Sequence, residues 1–142
     1  GHDIAGRFGK DNGGAIPPNL LQISNSESNS AYLRRCKALG VKAHPARFPV
    51  ALPEFFIKFL TEPNDLVVDI FAGSNTTGEA AERLGRRWLT CDLRRDYVAA
   101  SAFRFIAERS DESVQQAYDT LTDAGGEPLL LRDEQSLFAQ PR

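Results

Sequence analysis

The feature that most constrains the fold is a pair of short apolar runs separated by a glycine loop and a helix. Leu66–Phe71 is β-branched and apolar at successive positions, which is typical of a buried parallel strand. The loop Ala72–Thr76 follows, and a helix is predicted from Thr77 to Leu84. A second strand is predicted over Trp88–Cys91, directly before Asp92. This order predicts two parallel strands joined by a helix, and therefore an α/β fold.

Further helices are predicted on both sides of this unit. Before it, apolar residues recur at helical spacing and form one stripe, with a proline in the first turn: Leu52, Phe55, Phe56, Phe59 and Leu60. After it, a long helix is predicted over Arg95–Arg109. Ser110 can cap a shorter helix that Gly125 and Gly126 end. We expect loops before about residue 30 and a tail after residue 126.

Composition excludes several classes of protein. The chain has 17 Lys and Arg against 19 Asp and Glu, so charge alone would not hold nucleic acid. It has no apolar run long enough for a membrane span and no signal peptide, which predicts a cytoplasmic protein that does not enter membranes. Cys36 and Cys91 are too few for a disulfide framework or a zinc site, so no metal is expected. One basic stretch is interpreted as either a solvated face or a phosphate-contacting surface: Arg34, Arg35, Lys37, Lys42 and Arg47.

The glycine loop does not fit two common nucleotide sites. The spacing of Gly73 and Gly78 matches a P-loop, but Glu79 and Ala80 stand where that motif needs Lys and then Ser or Thr. A carboxylate at this point would repel a triphosphate. The dinucleotide motif fails as well, because Asn75 replaces the middle glycine that lets the backbone approach a pyrophosphate.

An acidic residue at the tip of the second strand narrows the choice of ligand. Asp92 follows Gly73 by 19 positions, the spacing at which such a residue hydrogen-bonds ribose hydroxyls. The alternative is that Asp92 caps the next helix. A nucleoside with ribose and no phosphate satisfies both observations, and S-adenosylmethionine is one such ligand.

Four segments together carry a family resemblance: Ile16–Asn29, His44–Pro49, Asp69–Gly78 and Tyr97–Phe105. In order and spacing they resemble the C-terminal part of the amino-methylating DNA methyltransferases of restriction–modification systems. The order is that of the permuted class, in which the catalytic motif precedes the target-recognition region and the cofactor motifs. The chain closely resembles the PvuII-type cytosine methylases over about residues 1–105.

The resemblance implies a partial Rossmann-like fold of S-adenosylmethionine-dependent methyltransferases, with two parallel strands, flanking helices and the rest of the sheet missing. It implies that the loop wraps the cofactor, that Asp92 holds the ribose, and that the segment from His44 closes over the methionine end. Many relatives carry Lys at the position of Phe48, so Arg47 is the substitute carboxylate partner. The implied cofactor-binding residues are Asp69, Phe71, Ala72, Gly73, Ser74, Asn75, Thr76, Asp92, His44, Arg47 and Phe48.

The resemblance also implies a division of the chain. Residues 1–40 would end the target-recognition region, residues 41–110 would bind the cofactor, and residues 111–142 would form a C-terminal helix and tail. The family's catalytic motif is an acidic, Asn or Ser residue followed by two prolines and an aromatic residue. Pro17-Pro18 is the one such pair in the sequence, and its neighbours Ile16 and Asn19 do not fit.

We therefore expect no catalytic residue in these 142 residues and no activity from them alone. The expected partners are an N-terminal catalytic half, on the same or a separate chain, and double-stranded DNA with one flipped base, in the bacterial cytoplasm. The expected target is the exocyclic amine of cytosine, with adenine as the alternative. The alternative outside enzymes is that the chain is a non-catalytic remnant or an interaction module that keeps the fold without catalysis.

Overall fold

A computed structural model describes residues 20–24 and 30–123 of the chain. The predictions for the first loops, for the Pro17-Pro18 segment, for Gly125 and Gly126 and for the tail lie outside these residues. In chain order the helices and strands are α1 (Ala31–Ala38), α2 (Ala51–Leu60), β1 (Leu66–Asp69), α3 (Thr76–Arg83), β2 (Arg87–Thr90), α4 (Arg95–Ser101) and α5 (Asp111–Asp123), with a 3₁₀ turn at Ala102–Arg104.

The two strands form the predicted parallel pair. Residue n of β1 pairs with residue n + 21 of β2, from Leu66 with Arg87 to Asp69 with Thr90. Each strand ends earlier than predicted. In β1 the reason is a local turn that interrupts the regular ladder: the Oδ1 atom of Asp69 accepts a hydrogen bond from the backbone N–H of Phe71 at 2.9 Å.

One face of this sheet is covered and the other is not. Helix α3 packs on the first face, where Ala80 and Ala81 are fully buried beside Val67 and Trp88. On the other face Leu66, Val68 and Leu89 are 51%, 55% and 60% exposed. The prediction of a strand buried on both faces is therefore wrong for the described residues, since helices cover β1 on one side only.

Helix α2 is confirmed, but a different face of it is buried. Pro53 and Ile57, which are four positions apart, are buried, and Ile57 packs with Ala80 and Ala81 of α3. Phe56, Phe59 and Leu60 of the predicted stripe are 46%, 53% and 63% exposed. Helix α2 is apolar around most of its surface, and the predicted stripe includes residues outside the narrower face, with Pro53 and Ile57, that is buried.

The long helix predicted over Arg95–Arg109 is wrong in its second half. Helix α4 ends at Ser101, whose hydroxyl donates to the carbonyl of Val98 at 2.8 Å, and a 3₁₀ turn follows. Within and just after the 3₁₀ turn, the aromatic rings of Phe103 and Phe105 pack against different parts of the structure. Phe103 is buried against Tyr118 of α5, with ring centroids 5.7 Å apart, whereas Phe105 stacks on Trp88 at 4.9 Å. Competition between two packing sites thus ends the regular helix.

Helices α1 and α5 complete a second core with α4. Helix α5 begins after Ser110, whose hydroxyl oxygen accepts from the Ser113 N–H at 3.3 Å, as predicted. Helix α1 was not predicted. Its Tyr32 and Cys36 are buried with Phe103, Ile106 and Val114.

Part of the predicted basic stretch serves this second core. Arg35 of α1 donates from Nε to the carbonyl of Ala107 at 3.0 Å and from Nη2 to that of Arg109 at 2.6 Å, and it pairs with Asp111. At this position the basic side chain fastens the connection between α4 and α5. Lys37 and Lys42, by contrast, are exposed.

Candidate functional site

The predicted site residues gather where the carboxyl ends of β1 and β2 meet. The backbone pairing continues past the strands, because the N–H of Ala72 donates to the carbonyl of Cys91 at 2.9 Å. Gly73 then turns with φ of +52°, a conformation that favours glycine. Ligands of open parallel sheets bind outside the carboxyl ends of the strands, so this edge is the candidate site.

Asp92 links the end of β2 to the glycine loop. Its Oδ2 atom accepts from the Gly73 N–H at 2.9 Å, and its Oδ1 atom accepts from the Arg94 N–H at 2.8 Å. The residue that caps α4 is Arg94, so the helix-cap alternative for Asp92 is not what the structure shows. A carboxylate has about four lone-pair positions, so two further hydrogen bonds, such as those from vicinal hydroxyls, remain available in principle.

The three residues after Gly73 are buried and shape the loop. Ser74, Asn75 and Thr76 are 3%, 3% and 1% exposed. Asn75 has φ of +57°, and its side-chain oxygen accepts from the Gly78 N–H at 3.0 Å, which caps α3 one residue earlier than predicted. These side chains therefore hold the conformation of the loop.

Asp69 and Phe71 stand on opposite sides of the same turn. The carboxylate of Asp69 points inward, where its Oδ2 atom also accepts from the hydroxyl of Thr77 at 2.7 Å. Phe71 points outward and is 79% exposed. An aromatic ring so exposed at the ligand-binding edge offers a stacking surface for a flat ligand.

The segment from His44 to Phe48 reaches the loop from the other side. The His44 N–H donates to the hydroxyl of Tyr32 at 2.9 Å, and its ring meets the edge of Tyr97 at 4.5 Å between centroids. The same ring lies 3.1 Å from the position that a Cβ atom on Gly73 would take. The structure thus brings the two predicted segments into contact.

Arg47 and Phe48 occupy different surroundings. The Nη1 atom of Arg47 donates to the carbonyl of His44, and its Nε atom is buried without a hydrogen-bond partner among the described residues. An unpaired buried donor is costly to the folded state. Phe48 lines an apolar cavity of about 360 Å³ between α2, Val67 and Thr77.

Two residues of the site were missed from the sequence, Arg104 and Tyr32. Arg104 donates from Nε to the carbonyl of Ser74 at 2.5 Å and from Nη2 to the hydroxyl of Thr76 at 3.0 Å. Its guanidinium lies over the ring of Tyr32, 5.0 Å from the centroid. One signal was present: Arg104 is the single charge in the apolar run from Val98 to Ala107, which is typical of a buried, paired charge.

Burial changes the acidity of two groups beneath the site. It raises the pKa of Tyr32 to about 12, so the phenol that accepts from His44 is neutral at physiological pH. Burial also raises the pKa of the Cys36 thiol. Over residues 20–24 and 30–123 no group of three or more His, Cys, Asp and Glu side chains is placed to hold a metal ion. No helix in the same ranges is long and apolar enough to cross a membrane.

Comparison with known proteins identifies relatives that are considerably longer than this chain. It is 63% identical over 122 residues to the Type II methyltransferase M.PvuII of Proteus hauseri, a match that covers 85% of this chain and 36% of the relative. It is 40% identical over 65 residues to the Type II methyltransferase M2.DpnII of Streptococcus pneumoniae, which covers 46% of this chain and 24% of that relative. The chain therefore spans about a third of the length of M.PvuII.

A solved structure and a family model agree with these matches. The structure of the PvuII DNA methyltransferase (cytosine-N4-specific) is similar with a TM-score of 0.71 and 62% identity, over 75% of this chain and 38% of the other. This match confirms the predicted α/β methyltransferase fold and the resemblance to PvuII-type enzymes. The model of the DNA methylase family matches residues 11–103. The chain belongs to the DNA methylase family.

Proposed function

We propose that this chain is the cofactor-binding part of a site-specific DNA methyltransferase that modifies the exocyclic amine of cytosine in a restriction–modification system. The observation that carries the proposal is the meeting of the Gly73 loop, Asp92 and the His44 segment at one edge of the sheet. The 63% identity to M.PvuII supports the choice of cytosine. The proposed cofactor is S-adenosylmethionine.

The residues present fit this cofactor. The carboxylate of Asp92 retains acceptor positions that suit ribose hydroxyls, although each oxygen already accepts one backbone N–H. Phe71, with 79% of its surface exposed, would lie against the cofactor. Arg47, whose guanidinium lies beside the backbone of His44, would take the methionine carboxylate, as the resemblance implies. When bound, S-adenosylmethionine supplies a methyl group on a positively charged sulfur.

The remaining site residues would act by shaping the pocket. Asn75 and Thr76 are buried in the loop, so they would hold its conformation, while Ala72 and Gly73 carry the chain past the ligand. The ring of His44 covers Gly73 and would limit the space at that end. Phe48, at the wall of the apolar cavity, would border the same end. The division into residues 1–40, 41–110 and 111–142 stays part of this proposal.

We further propose that the catalytic motif, which holds the target base, lies on other residues of a longer protein or on a partner. The Pro-Pro pair of this sequence is preceded by Ile16, which cannot accept a hydrogen bond, and is followed by Asn19, which is not aromatic. Positioning a methyl donor without its acceptor loses the proximity contribution, which amounts to about 7–11 kcal/mol of the barrier. The proposed DNA partner presents its target base flipped out of the duplex, since the amine is unreachable in the stack.

The test uses a fused enzyme, which we define as this chain in place of the matching segment of M.PvuII. Labelled S-adenosylmethionine and DNA are incubated with the 142-residue chain and, separately, with the fused enzyme. We expect methyl transfer by the fused enzyme only. Transfer by the chain alone would contradict the absence of the catalytic part. A folded fused enzyme without activity would favour a non-catalytic role.

The identity of the methylated base is read from the digested product. N4-methylcytosine is expected. Because the fused enzyme takes its catalytic motif from M.PvuII, this product tests whether the chain supports methylation of cytosine, and the choice between cytosine and adenine is read in the same way from a longer protein that contains this chain.

The role of Asp92 is tested by binding. Asp92→Ala in the fused enzyme should weaken S-adenosylmethionine binding by about 1.5–3 kcal/mol, the scale of hydrogen bonds to a charged group. The matched control is Asp96→Ala, which removes a nearby carboxylate that is bonded to the Arg94 side chain. Titration calorimetry showing the same affinity for the Asp92 variant and the control would assign Asp92 to loop structure alone.

A further inference from the structure

Arg104 is a buried charge whose hydrogen bonds end on the glycine loop. Its side chain is 2% exposed and comes from the 3₁₀ turn after α4. Its Nε atom donates to the Ser74 carbonyl at 2.5 Å, and its Nη2 atom donates to the hydroxyls of Ser74 and Thr76 at 3.1 and 3.0 Å. Three bonds from one planar group thus fix the backbone of Ser74 and the side chains of Ser74 and Thr76.

The same guanidinium is joined to the other half of the site. It forms an ion pair with Glu79, which compensates a charge that would be costly to bury alone. It also lies over the ring of Tyr32, whose hydroxyl accepts from the His44 N–H. The ring of His44 in turn covers Gly73. The contacts therefore connect Arg104 to the Gly73 loop in two ways, directly through its own hydrogen bonds and indirectly through Tyr32 and His44.

Within the proposed function, which this inference requires, we infer that Arg104 is a positioning residue for the cofactor. It sets the distance between the Gly73 loop and the His44 segment, and therefore the affinity for S-adenosylmethionine. Because its side chain is buried, it acts through the loop and does not touch the ligand. Glu79, which excludes a triphosphate at this loop, is the counter-charge that allows the arginine to lie there.

Two substitutions in the fused enzyme separate positioning from simple stability. Arg104→Lys keeps a positive charge for Glu79, but an ammonium group cannot reproduce the planar fork that reaches Ser74 and Thr76. Arg104→Met removes the charge as well. For both variants we expect the Kd and the KM for S-adenosylmethionine to rise about 3- to 30-fold, the range for coupling through a contact network. The kcat at saturating cofactor should stay within about twofold of the parent.

Arg35 provides a matched control. This arginine of α1 also donates to backbone carbonyls, in the connection between α4 and α5. Its acceptors are Ala107 and Arg109, which are not in the glycine loop. Arg35→Met should lower the Tm and leave the Kd for the cofactor unchanged. The comparison therefore tests whether lost stability alone weakens binding.

Each outcome has a defined meaning. Wild-type cofactor affinity in the folded Arg104→Lys variant would overturn the inference and leave the proposed function intact. An equal rise in Kd for Arg35→Met would also overturn it, because the effect would then follow stability. A fused enzyme that is folded but does not bind S-adenosylmethionine before any substitution would refute the proposed function and the inference together.

Discussion

Gly78 cannot be replaced by alanine without breaking the cap of α3. A Cβ atom at this position would lie 2.3 Å from the side-chain oxygen of Asn75 and 2.8 Å from its Cγ atom. The side chain of Asn75 would have to rotate away, although its oxygen accepts from the Gly78 N–H and the residue is 3% exposed. The substitution therefore removes the cap and leaves a buried amide without its partner.

The expected magnitude combines three contributions. Loss of an asparagine cap costs about 0.5–2 kcal/mol. An unsatisfied buried polar group adds about 1–3 kcal/mol. Alanine is a better helix former than glycine, which offsets about 1 kcal/mol. We expect Gly78→Ala to lower the free energy of unfolding by about 0.5–4 kcal/mol, although the same change on a free helix would raise it.

A double-mutant cycle isolates the clash. Asn75→Gly removes the obstructing side chain and adopts the left-handed conformation without steric cost, but it also removes the cap, so by itself it should lower stability by about 0.5–2 kcal/mol. With Asn75→Gly present, Gly78→Ala should no longer destabilise. Urea unfolding of the four fused enzymes gives the coupling energy. The reasoning is refuted if Gly78→Ala is as stable as the parent, or if the double variant is no more stable than Gly78→Ala.

Three further predictions concern acidity, binding and association. Burial raises the pKa of Tyr32 from 10 to about 12, so the contribution of the neutral phenol to stability is complete below pH 10 and is lost as the pH rises towards 12. The free energy of unfolding of the fused enzyme should therefore fall by about 2–3 kcal/mol in this window. The Tyr32→Phe variant should lack this pH dependence. Phe71→Ala should weaken cofactor binding by about 1–3 kcal/mol, the scale of stacking on an aromatic ring, whereas the similarly exposed Phe59→Ala should not, by calorimetry. The isolated 142-residue chain should associate or unfold without cooperativity, because one face of its sheet is apolar and exposed; a monomer that melts cooperatively in the analytical ultracentrifuge and the calorimeter would contradict this.

Local signals determined which parts of the structure could be predicted. The strand–loop–helix–strand unit was predictable because its glycines, its β-branched run and the acid at Asp92 are all short-range features. The early end of β1 was not, since it depends on Asp69 bonding to Phe71. The end of α4 at Ser101 depends on two aromatic partners, on α5 and on β2, that are distant in sequence.

The candidate site shows the same division between local and tertiary information. The loop residues were predicted from their motif, but motif patterns do not distinguish side chains that face a ligand from side chains that face the core. Ser74 to Thr76 are of the second kind. Arg104 was missed because its role requires a loop 30 positions earlier in the chain.

The constant offset of 21 positions between the strands constrains how this segment can evolve. Both ends of the crossover are fastened: the Asn64 N–H donates to the carbonyl of Gly85, and the Ala72 N–H donates to that of Cys91. A residue inserted or deleted within β1 or β2 would shift the pairing and turn every following side chain of that strand to the opposite face. We expect homologous lineages to vary within the two paired strands by substitution alone, and changes of length to occur in the connections.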